Sequence, residues 1–332
     1  MENLLSAWRE FLRGKRKRKD VAAFFLDLTG NILALHCELA SKNYRHGPYR
    51  AFKINDPKPR DIHKAGVRDR LLHHAIYRIL YPYFDQKFTF DSYSCREGKG
   101  TYRAMDRFGQ YARIVSRNHT RTAWVLKCDI RKFFASIDHE ILKDILRRHI
   151  GDKDILWLLG EIIGSFHTKD DPGIGPTSPR RLRGTGLPLG NLTSQLLVNI
   201  YMNELDQFLK RKLKVHHYVR YADDFVIVHK DRRYLENLLP KISDFLKTRL
   251  KLSLHPEKVS IKTLASGVDV LGWIHFPDHR VMRTATKRRM FNRLRRNPAD
   301  KTVISYLGLL DHGDAYKLKK KMKKIDSDSR FG

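Results

Sequence analysis

Three aspartates have the type and the setting to hold metal ions. Asp129 closes the apolar run TAWVLKCDI, and Asp223 and Asp224 sit between the two β-rich halves of HHYVRYADDFVIVHK. Carboxylates are hard oxygen donors suited to Mg2+ or Mn2+. Two such ions about 4 Å apart lower the pKa of an attacking hydroxyl and stabilise a leaving pyrophosphate, so the chemistry indicated is phosphoryl transfer. For the three groups to act together, strands distant along the chain must bring them to the edge of one small sheet. Taken alone, Ala-Asp-Asp is more commonly just the hydrophilic tip of a hairpin.

The elements that must position these acids follow from periodicity. In TAWVLKCDI, strand alternation puts Trp124, Leu126, Cys128 and Ile130 on one face and Val125, Lys127 and Asp129 on the other. HHYVRYADDFVIVHK predicts a hairpin with the two adjacent acids at its turn. Leu192, Leu196, Ile200, Leu205 and Leu209 recur near helical spacing, with Gly190 at the mouth of that helix. Earlier, Leu4, Leu5, Trp8, Phe11 and Leu12 predict a helix, and Val21 to Leu39 a second. The basic run Arg13 to Lys19 between them is either a solvated linker or a phosphate contact. YRAFKINDPKPRDIHKA predicts a hairpin turning at Asn55 to Pro59, with Lys58 and Arg60 near its tip. The following helix should turn Leu71, Leu72, Ala75, Ile76 and Ile79 inward, with Arg68, Arg70 and Arg78 elsewhere on its surface.

Further helices are expected at His139 to Ile150 and Tyr234 to Leu250, with LSLHPEKVSIK and GVDVLGWIHF as two strands. Residues 164–186 form a Gly/Pro-rich loop without apolar period, and the chain from Arg283 onward is helical and basic.

With 332 residues, 41% hydrophobic and 31% charged, the chain can bury a substantial core. Lys+Arg 66 against Asp+Glu 36 leaves a net charge of +30, which calls for a polyanionic partner, nucleic acid first. Cys37, Cys95 and Cys128 form no CxxC pair, so neither a disulfide framework nor a zinc ribbon is expected. No run of eighteen apolar residues occurs, and the expectation is a cytoplasmic protein without a membrane partner.

In order, KPR at Lys58 to Arg60, VRDRLLHHAI, FDSYSCREGKG, KCDIRKFFASIDH, GLPLGNLTSQ, RYADDFVIV, LHPEKVSIK and LGWIHF resemble the successive blocks of reverse transcriptases related to group II introns. The resemblance covers about residues 1–316. GLPLGNLTSQ is most similar to the block of diversity-generating retroelement enzymes, which ends in Ser-Gln. Intron enzymes typically place Gln where this chain has Leu189 and Pro where it has Gln195. ISYLGLLDHGDAYKL and RHGPYRAFKINDPKPR also resemble the thumb and fingers of that subgroup, which is prokaryotic or phage-encoded.

The resemblance implies an α+β fold of right-hand polymerase architecture, its palm a small antiparallel sheet packed on helices. It implies a basic helical extension over 1–45, fingers over 46–120, a palm interleaved with them over 121–280, and a short helical thumb and tail over 281–332. Asp129, Asp223 and Asp224 would hold two Mg2+ ions, with Mn2+ an alternative and the Ile130 carbonyl a further ligand. Phe134 matches the aromatic that excludes a 2′-hydroxyl, although Phe133 and Phe134 could both be core. Lys58 and Arg60 match the cations on the incoming triphosphate, a task suited to the guanidinium fork. Leu189, Gly190 and Gln195 would line the nucleotide pocket, and Lys258 would protonate the departing pyrophosphate.

An aliphatic Leu189 cannot hydrogen-bond as glutamine does, so looser base-pair or sugar checking is expected, and the resemblance to the diversity-generating subgroup implies errors preferentially opposite template adenines. Tyr93, Arg96 and Lys99 would approach template or nucleotide, with Gly98 and Gly100 allowing close backbone approach. Lys287, Arg288, Arg289, Arg293, Arg295, Arg296 and the lysines of 317–324 would clamp an A-like template–primer duplex.

The implied partners are a template RNA with its primer, a structured element RNA, and a small basic helical-bundle accessory protein that is itself oligomeric. Two other readings stand beside this one. The first is a group II intron-like or antiviral-defence reverse transcriptase. The second is a non-catalytic RNA-binding maturation factor, against which all three acids argue, because a pure binder has no use for negative charge where nucleic acid lies.

Overall fold

A computed structural model describes residues 1–55, 59–167, 184–296 and 300–322. In chain order the elements begin with helices α1 (Glu2–Phe11), α2 (Lys19–Leu26) and α3 (Leu28–Ala40), strands β1 (Arg50–Ile54) and β2 (Arg60–Lys64), then α4 (Val67–Asp85) and α5 (Thr101–Val115). Next come β3 (Trp124–Asp129), the short α6 (Phe133–Ser136), α7 (His139–Arg147), α8 (Lys153–Gly164) and α9 (Leu192–Gln207). Strands β4 (Tyr218–Tyr221) and β5 (Asp224–His229) lead to α10 (Arg232–Leu250), β6 (Ser260–Thr263), β7 (Val268–Val270), β8 (Trp273–His275) and β9 (Arg280–Met282). Helices α11 (Thr284–Arg296) and α12 (Asp300–Leu310) follow. The chain divides into two units, each built from three stretches: 1–89, 130–213 and 244–253 form the first, and 90–129, 214–243 and 254 onward the second.

In the first unit, Leu4, Ala7, Trp8 and Phe11 are buried at the spacing of one helical stripe, and α1 packs that stripe on α4. The opposite flank of α4 packs on α9. Two buried polar residues of α4 are satisfied by specific partners. Asp69 accepts from the Tyr44 hydroxyl at 2.9 Å and the Gly47 amide at 3.2 Å. His73 lies 2.7 Å from Thr193 Oγ1 and, through Nε2, 3.1 Å from His46 Nε2. Burial drives the His73 imidazole down to about 3, so it stays neutral and fastens the start of α9 to α4. Strands β1 and β2 pair antiparallel from Arg50↔Lys64 to Ile54↔Arg60, which sets Arg60 at the last pair of the ladder.

The second unit is centred on a four-stranded antiparallel sheet in the order β4-β5-β3-β6. Val125 of β3, Val219 of β4, and Val226 and Val228 of β5 form one core with Ala104, Phe108, Tyr111 and Ala112 of α5. A three-stranded sheet, β7-β8-β9, supports a second core in which Trp273 and Met282 meet Met290, Leu294 and Leu310 of the last helices. Gly313 lies so close to Trp273 that a Cβ would fall 2.1 Å from the indole, so the chain turns there only as glycine.

Several local expectations need correction. The helix expected from Val21 to Leu39 is two helices bent by 85°, because Asp27 leaves helical geometry and its carboxylate accepts from the Gly30 amide at the start of α3. Ile79 lies on the same side of α4 as Leu72, Ala75 and Ile76, with which it lines a surface pocket, but it is 57% exposed there rather than turned inward. GVDVLGWIHF is a hairpin, split by Leu271 and Gly272 at positive φ, and β9 extends it. Asp224 is the first residue of β5, leaving Ala222 and Asp223 as the turn. Helices α5 and α8 are additional to the elements the spacing predicts.

Asp138 shows how the ends of these elements are held. Its Oδ1 caps α7 by accepting from the Glu140 and Ile141 amides at 3.0 Å each, and its Oδ2 accepts from Lys251 at 2.6 Å. Burial alone would raise this carboxyl, but Lys251 and the two amides hold it below the usual carboxylate range. A carboxyl lowered on folding stabilises the fold above the unfolded-state value of about 4, and that contribution is lost as pH falls through the folded-state value. Asp138→Ala is therefore expected to cost about 1–2 kcal/mol at neutral pH. In urea unfolding, the gap from the parent protein should narrow at about pH 3.

Candidate active site

The charged end of the four-stranded sheet is built by strand register. Alternation places Val125, Lys127 and Asp129 on one face of β3, and Asp224, Val226 and Val228 on the same face of β5. Near α5 this face is apolar core. At its other end Asp129 stands directly opposite Asp224. Like charges opposite each other in an antiparallel pair repel, and two lysines offset this. Lys258, in the helical turn Pro256–Lys258, donates to Asp129 Oδ1 at 2.9 Å. Lys127 Nζ lies 3.7 Å from Asp224 Oδ2 while donating to the Asp269 carbonyl at 2.6 Å. Burial pushes the Asp224 carboxyl up to about 6, Lys127 opposing and Asp129, Asp223 and Asp269 reinforcing the shift.

Asp223 is presented by a strained turn. Tyr221 pairs with Asp224, leaving two residues between the strands, and Ala222 adopts φ +55°. A non-glycine residue there costs on the order of 1–2 kcal/mol. The turn is held from inside by Arg220, which is 0% exposed. Its guanidinium donates to the Ala222 carbonyl at 3.1 Å and to Ser92 Oγ at 2.9 Å. The Arg220 backbone pairs with the 91–93 segment, its amide donating to the Asp91 carbonyl and its carbonyl accepting from the Tyr93 amide, both at 2.9 Å.

The donor set fits a divalent cation in chemistry: hard anionic oxygens, one of which, Asp224 Oδ1, is buried without a hydrogen-bond partner. Among the described residues no three acidic, His or Cys side chains close into a metal cage, and lysines pair with Asp129 and Asp224. Ile130, whose carbonyl was a further expected ligand, is buried directly after Asp129.

In the first unit, Leu189–Asn191 runs along β2. The His63 amide donates to the Leu189 carbonyl at 2.9 Å, and Asn191 Nδ2 donates to the His63 carbonyl at 3.1 Å. Gly190 has φ +108°, and a Cβ on it would sit 2.9 Å from Ile62 Cγ2. Gly190 and Gln195 line a groove of about 320 Å3 together with Lys15, Arg18, Lys64 and Arg70. Asp20 bridges two of these cations, 2.6 Å from Lys64 Nζ and 2.6 Å from the Arg70 guanidinium. Burial, with Arg18 and Arg70 nearby, lowers the Lys15 ammonium. Arg60 is exposed, and Lys58 lies outside the described residues. Phe133 is buried while Phe134 is half-exposed, its carbonyl accepting from the Leu187 amide at 2.8 Å.

The remaining expected contacts divide by exposure. Arg288, Arg289, Arg293, Arg295 and Arg296 are exposed on α11, Lys287 is half-buried, and Met290 and Leu294 face inward. Of the lysines after residue 316, Lys319 pairs with Asp311, and Lys323 and Lys324 lie outside the described residues. Arg96 donates to the Ser92 carbonyl and Lys99 to the Phe90 carbonyl. Tyr93, expected near template or nucleotide, is only 2% exposed and belongs to the sheet core.

Sequence reasoning did not single out Lys127 or Arg220. The first carries a signal, its i, i+2 spacing from Asp129 on one strand face. The second does not, since a charged residue beside an acidic turn is ordinarily read as exposed.

Comparison with known proteins adds an independent line. The family model described as reverse transcriptase (RNA-dependent DNA polymerase) matches residues 55–308. Protein YkfC of Escherichia coli (strain K12) is 27% identical over 287 residues, covering 76% of this chain and 71% of that protein. The group II intron-encoded protein LtrA of Lactococcus lactis subsp. cremoris is 23% identical over 215 residues, covering 64% of this chain. The chain spans only 34% of LtrA and 33% of a putative COX1/OXI3 intron 2 protein of Saccharomyces cerevisiae. Among solved structures, apo telomerase from Candida tropicalis truncated from its C-terminal domain superposes with a TM-score of 0.51 at 12% identity, over 76% of this chain and 59% of that one. At that identity the likeness is one of fold, a polymerase architecture of helices and small antiparallel sheets.

Two substitutions probe the supports of the site. Arg220→Met leaves the Ser92 hydroxyl and the Ala222 carbonyl without their donor and is expected to destabilise by about 2–4 kcal/mol. Gly190→Ala, strained in φ and crowded by Ile62, should cost about 1–3 kcal/mol. Urea unfolding checks both.

Proposed function

Because the chain belongs to the reverse transcriptase (RNA-dependent DNA polymerase) family, we propose that it copies an RNA template into DNA, with Asp129, Asp223 and Asp224 as its catalytic carboxylates. The observation that carries this reading is the register that sets Asp129 opposite Asp224, with Asp223 in the adjoining turn. Together they would hold divalent cations, Mg2+ or Mn2+. Such ions, when bound, supply a lowered pKa at the attacking hydroxyl and charge stabilisation at the pyrophosphate.

The chain's own groups do the rest. Arg220 fixes the turn that presents Asp223, and Lys127 partly opposes the upward shift that burial imposes on the Asp224 carboxyl. Lys258, paired with Asp129, is proposed as the proton donor to the departing pyrophosphate. Arg60, Phe134, Leu189, Gly190 and Gln195 are proposed as nucleotide contacts. The exposed arginines of α11 are proposed to grip an A-form duplex by its phosphates, a contact that reads shape rather than sequence. On this reading 46–120 serve as fingers, 121–280 as palm and 281–332 as thumb.

A finer assignment rests on GLPLGNLTSQ. Leu189 in place of a hydrogen-bonding glutamine supports error-prone synthesis at template adenines in a diversity-generating retroelement, working with a structured element RNA and a small basic accessory protein. The likeness to LtrA favours a second reading, a group II intron-like enzyme of ordinary fidelity.

Primer extension on an RNA template separates these proposals. The Asp223→Asn, Asp224→Asn double variant should abolish DNA synthesis without weakening RNA binding, because it removes negative charge from a nucleic-acid surface. Synthesis that survives in it overturns the site assignment. Sequencing the parent enzyme's products should show misincorporation concentrated opposite adenine, and an even error spectrum favours the intron-like reading.

A further inference from the structure

Phe90 is 62% exposed and has no part in the chemistry above. It is nevertheless fixed in place by charged neighbours. The Lys99 ammonium donates to the Phe90 carbonyl at 2.9 Å and lies 3.3 Å from the ring centroid. The Arg107 guanidinium carbon lies 5.1 Å from the same centroid and 4.4 Å from that of Tyr111, and Tyr93 meets Phe90 edge-on at 6.3 Å. Arg107 is anchored on Asp91 Oδ1 at 3.2 Å. Asp91 is 4% exposed and also accepts from the Tyr111 hydroxyl, so the acid is internal, while Lys99 lies over the exposed ring at contact distance and Arg107 stands farther off, where an arriving base would displace the ammonium toward its own phosphates. Gly98 and Gly100, both at positive φ, turn the chain so that Lys99 returns to Phe90.

Sites for single-stranded nucleic acid combine an aromatic surface on which a base stacks with cations that take the neighbouring phosphates. We propose that Phe90, beside Lys99 and Arg107, is a stacking platform for an unpaired base of a single strand, its flanking phosphates held by the two cations. This rests on the polymerase reading and extends it to the path of the unpaired strand. The backbone ladder supports the choice of partner. Ser92 bridges Arg220 in parallel, and Arg220 holds the turn that carries Asp223, so the platform segment and that turn are both tied to β4.

The test is binding of fluorescent oligouridylate, oligothymidylate and a blunt RNA–DNA duplex to the full chain by anisotropy, beside primer extension. Phe90→Ala should weaken binding of the single strands about fivefold or more, leave duplex affinity within about twofold, and leave extension at saturating primer–template unchanged. Phe90→Trp should restore single-strand binding. Lys99→Met should reduce the slope of log affinity against log salt by about one. Loss for the RNA strand alone assigns the platform to template, and loss for both strands assigns it to either. Single-strand affinities of Phe90→Ala within about twofold of the parent, or equal losses in Phe90→Ala and Phe90→Trp, overturn the proposal and leave Phe90 as a protein contact or bare surface. A parent chain that binds oligouridylate through Phe90 but extends no primer sinks the polymerase reading instead.

Discussion

Two carboxylates facing each other across one strand pair, Asp129 and Asp224, set the terms for everything around them. Register places them on the same face of neighbouring strands, where like charges destabilise the sheet. The sheet tolerates this because its other end is ordinary core: the valines of β3, β4 and β5 against α5. The division of labour runs along the strands, apolar residues holding one end together and charges collected at the other. Such an arrangement survives only if each acid has a counter-charge or a ligand. Lys258 and Lys127 supply counter-charges, while Oδ1 of Asp224 stays buried without a hydrogen-bond partner.

The same constraint explains why so much buried polar structure sits just behind the acids. A fully buried arginine is costly unless its donors are used. Arg220 uses them on the carbonyl of a turn residue at positive φ and on the hydroxyl of the adjacent segment. Strain at Ala222 and burial of Arg220 are then parts of one structure: the guanidinium fixes the turn, and the turn gives the guanidinium an acceptor. Asp91 completes the arrangement, neutralised by Arg107 and Tyr111 and tied by its carbonyl to the Arg220 amide.

Legibility in the sequence followed the reach of the interaction. Alternation in TAWVLKCDI and HHYVRYADDFVIVHK was enough to predict both strands and the shared face of Val125, Lys127 and Asp129, since side-chain direction in a strand is a local property. The ordered blocks carried the polymerase architecture, which the likeness of fold to telomerase supports. What could not be read depends on partners far along the chain. Register, and hence Asp224 as a strand residue, is fixed by pairing across 95 positions. The burial of Tyr93 follows from its ladder to Arg220, and the break at Asp27 from a carboxylate that caps its own neighbour. α8 has a nearly continuous apolar run, LWLLGEII, in which a helical period cannot be separated from a strand-like one.

Charge is organised the same way in both units, each considered by itself. In the first, Asp20 bridges Lys64 and Arg70 at the mouth of a basic groove. In the second, lysines occupy the oxygens of Asp129 and Asp224. The Asp20–Lys64 and Asp129–Lys258 pairs, each with a partner open to solvent, contribute roughly 0–1 kcal/mol, whereas Lys127 and Asp224 are both largely buried and their pairing offsets a cost of desolvation. The internal pairs therefore hold each cluster of like charge together.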